Sequence, residues 1–129
     1  MVDFAISLRA SAVMQHALPQ IRLVGAVASF NQTNYTAVAD TPFAVSIETK
    51  VAGEGQQAAH AQLATWLLAQ YARLQLLVQD AGNNNVEMPI LPFFVAQGPT
   101  WSFGAAKMKE DRMVSKLLGH HRTARTICR

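Results

Sequence analysis

The residue pattern predicts an α+β domain. Residues 2–8 and 43–50 alternate apolar side chains with small or polar ones at the two-residue period of a strand, and residues 56–79 repeat apolar positions at helical spacing. Residues 88–105 then read as a strand, a Gly98-Pro99 turn and a returning strand. A chain of 129 residues, 50% hydrophobic and 15% charged, has room for one domain with a real core.

Taken in order, Val2, Phe4, Ile6 and Leu8 share one face of the first strand, and Asp3, Ala5 and Ser7 the other. Asp3 is either a carboxylate brought beside a neighbouring strand or a chain-start residue in water. Residues 10–18 predict a short helix stopped by Pro19, with His16 on its surface or partly buried. Residues 21–30 are apolar and β-tending, and 31–34 are turn-rich.

Phe43-Ala44-Val45-Ser46-Ile47-Glu48-Thr49-Lys50 is the central strand. Alternation predicts Phe43, Val45 and Ile47 on the core face, and Ala44, Ser46, Glu48 and Lys50 on the other. That second face sets a carboxylate and an ammonium about 7 Å apart above small residues, with room for a metal and a phosphate. Alone, such a pair also suits an ordinary surface contact at a strand end. Gly53 and Gly55 end the strand. The helix from about Gln56 to Gln79 presents Leu63, Leu67, Leu68, Tyr71, Leu74, Leu77 and Val78 to the core, with Gln62, Trp66 and Arg73 on an adjoining stripe. Gln62 is placed to reach the end of the Glu-x-Lys strand. Residues 80–85 suit a helix stop.

Several function classes fall away. No run approaches the length of a membrane helix and the start lacks a signal-peptide pattern, so the sequence reads as soluble and intracellular. One cysteine, Cys128, gives neither an internal disulfide nor a thiolate metal site, and a His120, His121, Cys128 site is disfavoured because adjacent histidines diverge. The net charge of +3 is unevenly spread. Residues 107–129 carry seven Lys or Arg against two acids, whereas the first 106 carry four against six. That tail reads as irregular, and it either grips phosphate backbones or is a solvated end.

Ordered segments then add up. Asp3 in its strand, Ser46-Ile47-Glu48-Thr49-Lys50, Gln62-x-x-x-Trp66, and Leu91-Pro92-Phe93-Phe94-Val95-Ala96-Gln97-Gly98-Pro99-Thr100-Trp101 resemble the PD-(D/E)XK nuclease-like proteins of filamentous fungi. The segment 29–35 feeding Pro42 looks like that family as well. The resemblance covers roughly residues 2–106 and implies a restriction-endonuclease-like mixed sheet flanked by helices. It also implies Asp3 and Glu48 as ligands of magnesium, Lys50 as the residue that orients or polarises the attacking water, and Gln62 as support. Hard carboxylates suit that ion, and the implied reaction is phosphodiester hydrolysis in nucleic acid.

Against the family pattern, a first core helix and strand are expected to be missing. The expected organisation is a partial nuclease-like domain at 1–106 and a basic tail at 107–129. The alternative function is an inactive nuclease-fold protein, serving as an interaction module or as an accessory of a fungal metabolite gene cluster. The acidic balance of the first 106 residues, poor for gripping DNA, motivates it.

Overall fold

The computed structural model describes residues 2–24, 29–33, 35–52, 55–82, 85–110 and 112–122. Among the described residues, five strands form one sheet in chain order: β1 (Phe4–Ser7), β2 (Phe43–Lys50), β3 (Leu91–Gln97), β4 (Thr100–Lys109) and β5 (Arg112–Arg122). Only β2 and β3 run parallel; the other neighbours are antiparallel. A parallel pair needs a long crossover, and helix α2 (Gln56–Asp80) supplies it. Between β3 and β4 the chain reverses over two residues, with Gly98 at φ 57°, a conformation that glycine adopts without strain. The result is a mixed α+β sheet with helices, as in restriction-endonuclease-like folds.

The core lies between α2 and one sheet face. Ala59, Leu63, Leu67 and Tyr71, four residues apart along the helix, meet Leu91, Phe93 and Val95 of β3 and Ala106 of β4. Tyr71 is 1% exposed, and its hydroxyl lies 2.8 Å from the Pro89 carbonyl and 2.7 Å from that of Ala106. One phenol thereby ties α2 to the entry of β3 and to β4. Leu68, expected on the buried stripe, is instead exposed.

Gly104 of β4 faces Phe93 across the ladder. A methyl group there would overlap the Phe93 ring and sit 2.9 Å from the Lys116 carbonyl. Gly104→Ala is therefore expected to cost about 1–3 kcal/mol by overpacking, read as a lower urea midpoint at unchanged slope. An unchanged midpoint would show that Phe93 yields freely.

Three expectations are corrected. First, the face of β2 that α2 covers carries Ser46 and Glu48, both buried, while Val45 and Ile47 are only half-buried. On β1, Phe4 and Ile6 are more than half exposed. Crossover handedness decides which face a helix covers, so the strand's own composition does not. Second, α1 spans Ala12–Val24 with Pro19 inside it, so the proline does not stop the helix and residues 21–24 are helical. Gln15 and Pro19 are exposed, and the carbonyl that proline leaves unpaired can be solvated there. Residues 25–28 of the expected β-tending stretch lie outside the described residues.

Third, the described part of the basic tail is largely strand, and residues 111 and 123–129 lie outside the described residues. Residues 107–109 extend β4, and Arg112–Arg122 form β5, paired with β4 over nearly its whole length. Met108, Met113 and Leu117 point to the core side, and Lys107, Lys109 and Arg112 lie on the opposite face or edge, exposed. The ladder shifts register between Phe103 and Gly104, which breaks the two-residue period near Leu118.

Candidate active site

Polar groups pin β2 in place. Asn31, 2% exposed, accepts from the Phe43 amide at 2.9 Å and donates to the carbonyls of Val38 (2.6 Å) and Thr41 (3.0 Å). Gln70 of α2 donates to the Phe43 carbonyl at 3.0 Å, and Trp66 donates its indole N–H to Ser46 Oγ at 3.2 Å. A buried polar atom costs free energy unless paired, so these bonds fix how β2 sits beneath α2. Trp66, on the stripe adjoining the buried one, thereby positions the strand.

At the far end of β2, Glu48 is fully buried. Its Oε1 lies 2.7 Å from Lys50 Nζ, and its Oε2 has no hydrogen-bond partner among the described residues. Lys50, 26% exposed, also donates to Gln62 Oε1 of α2 at 3.2 Å. The structure thus gathers Glu48, Lys50 and Gln62 into one cluster at the end of a strand. The hydrogen bond to Glu48 holds the Lys50 ammonium above the usual lysine range, so Lys50 stays charged.

Asp3 takes a different partner. Its Oδ2 accepts from the Thr49 amide at 2.8 Å and from the Thr49 hydroxyl at 2.7 Å. These bonds, helped by the charge of Lys50, push its carboxyl below the usual carboxylate range. Phe4 pairs with Ile47, so Asp3 stands at the level of the Glu48-Thr49 peptide, and Thr49 links it to the cluster. Sequence reasoning passed over Thr49 because its side chain lies on the other face from Glu48. The Glu-x-Lys spacing itself was the available signal, since the residue between them must sit beside whatever strand pairs there.

A folded-state pKa that is depressed adds stability above the ordinary carboxyl range and loses it as pH falls through the lowered value. Thr49→Val removes the hydroxyl bond. Its carboxyl carbon shift, followed by NMR, should show Asp3 titrating at higher pH, and the loss of stability at neutral pH should vanish in strong acid. A variant equally destabilised at both extremes would mean that Thr49 acts by packing alone.

A cavity of about 410 Å³ opens beside Asp3, lined by Val2, Phe4, Thr33, Tyr35, Phe43 and Trp66 among others. Another, of about 380 Å³ between α2 and β5, holds His60 and none of the four expected site residues. His120 of the disfavoured tail site lies 2.7 Å from Ser102 Oγ, and Cys128 is outside the described residues.

Among the described residues, no three His, Cys, Asp or Glu side chains form a ready ligand set. Magnesium keeps several waters and commonly takes only one or two carboxylates plus substrate phosphate. The unpartnered Oε2 of buried Glu48, with Asp3 nearby, fits that coordination habit. Among the described residues, no helix is long and apolar enough to cross a membrane.

The family model described as the PD-(D/E)XK nuclease superfamily matches residues 1–129. The match thus includes residues 107–129, which sequence reading set outside the family domain. No curated protein and no solved structure matches the chain.

Proposed function

Since the chain belongs to the PD-(D/E)XK nuclease superfamily, we propose that it hydrolyses phosphodiester bonds in nucleic acid with magnesium held at Glu48 and Asp3. The observation that carries this reading is the buried Glu48 carboxylate, ion-paired on one oxygen and unpartnered on the other, at a strand end. An ionised carboxylate is costly to bury, and among the described residues this one has a single cation to offset it.

Each residue has a role that its surroundings support. Glu48 and Asp3 supply hard oxygen donors, and Thr49 keeps Asp3 ionised and oriented. Lys50 is held charged, and its ammonium can lean on a phosphate oxygen or hold the water that attacks phosphorus. Gln62 restrains Lys50 from the helix side. When bound, magnesium would supply Lewis-acid polarisation of the phosphate and a more acidic water.

Calorimetric titration with magnesium tests the reading. Binding should be weakened in Asp3→Asn and lost in Glu48→Gln. Binding indifferent to both substitutions would place the ion elsewhere and remove the proposal's basis.

A further inference from the structure

The sheet face turned away from α2 carries aromatic groups and cations together. Strand register aligns Phe4, Ile47, Phe94 and Phe103 in one row across four strands, and Thr49, Ala96, Trp101 and His121 in the next. Phe94 packs against Phe103 at 5.1 Å and edge-on against Trp101 at 6.1 Å. This cluster is not sealed: Phe4 is 62% exposed, Trp101 39% and Phe103 37%.

Further along the same face, Lys107 and Lys109 of β4 stand opposite Val114 and Arg112, and Lys116 stands opposite Ala105. All four cations are exposed. Lys107 meets Glu87 at 3.3 Å, an exposed pair of little net worth. The described strand residues of this face contribute no acid of their own.

We propose that this face docks single-stranded nucleic acid. Charge complementarity selects a polyanion, because Lys116 lies in the row next to Phe103 and Lys107, Lys109 and Arg112 continue along the same face, with Glu110 in the turn between the last two. Exposed rings on a sheet then select the single-stranded form, since only unpaired bases offer their faces for stacking. Trp101 and Phe103 alternate on one strand about 7 Å apart, so successive bases can each find a ring. The row that holds Trp101 ends at Thr49, so the docked strand lies on the face of β2 opposite Glu48 and Lys50. The inference needs no bond cleavage, and it is tested with metal removed.

Fluorescence anisotropy of a labelled oligothymidylate and of a duplex of equal length, both in EDTA, provides the test. The full chain should bind the single strand at least about tenfold more tightly than the duplex, with affinity falling as salt rises. Trp101→Ala and Phe103→Ala, both at exposed positions, should each weaken single-strand binding by about tenfold. Lys109→Glu with Arg112→Glu should weaken it and flatten the salt dependence. Duplex bound as well as single strand, or affinity indifferent to both sets of substitutions, would overturn the proposal. So would sedimentation showing a dimer that Trp101→Ala dissociates, with oligonucleotide affinity unchanged. Docking is read in EDTA and cleavage in magnesium, so failure of either one leaves the other measurable.

Discussion

Glu48→Gln should leave a chain that is folded, at least as stable as the parent without metal, and slower in magnesium-dependent cleavage by on the order of 100-fold or more. The two halves of that expectation share one cause. The parent carboxylate is fully buried and is met by one ammonium at 2.7 Å. Desolvating such a charge costs several kcal/mol, and a single ion pair often fails to repay it. The amide keeps the shape and removes the charge, while Lys50 can turn toward water. A functional group that destabilises its own fold marks a site kept for chemistry. Urea denaturation in EDTA measures the first half, and cleavage measures the second. A clear loss of stability in Glu48→Gln would mean that the pair is a structural brace.

Lys50→Met should do the opposite to stability and the same to cleavage. Removing the cation leaves Glu48 buried and uncompensated, which is the costly way to break such a pair. The variant should denature at lower urea in EDTA, and magnesium should restore more stability to it than to the parent. Cleavage should fall by about 100-fold or more, because the charge beside the phosphate is gone. The pH dependence has a definite sign. The folded-state pKa of Lys50 is raised, so its contribution is present below the ordinary lysine value of 10.5 and fades as pH climbs through the raised one. Parent and variant should therefore converge in strong alkali.

Which parts of this were legible in the sequence follows from what alternation and helical spacing encode. The two-residue period located β1 and β2, and helical spacing located α2 within a residue of its ends. Alternation cannot say which face a crossover helix will cover, and so Ser46 and Glu48 are buried where open space was expected. Glu-x-Lys named Glu48 and Lys50, and the stripe of α2 named Gln62, all of which meet. The bond from Thr49 to Asp3 joins residues 46 apart and depends on strand pairing, which no local pattern reports. β5 was hidden by the register shift near Leu118 and by its cations, which suit an exposed sheet face as well as a loose tail. Pro19 misled because a helix with an exposed proline can continue past it.

Cleavage of plasmid and single-stranded DNA by the purified chain in magnesium or manganese, beside Glu48→Gln and Lys50→Met, tells a catalytic pair from a structural one. The parent should cut in a metal-dependent way that stops with EDTA and is lost in both variants. Cutting by either variant at the parent rate, or none from a folded chain that binds magnesium, would contradict the catalytic reading.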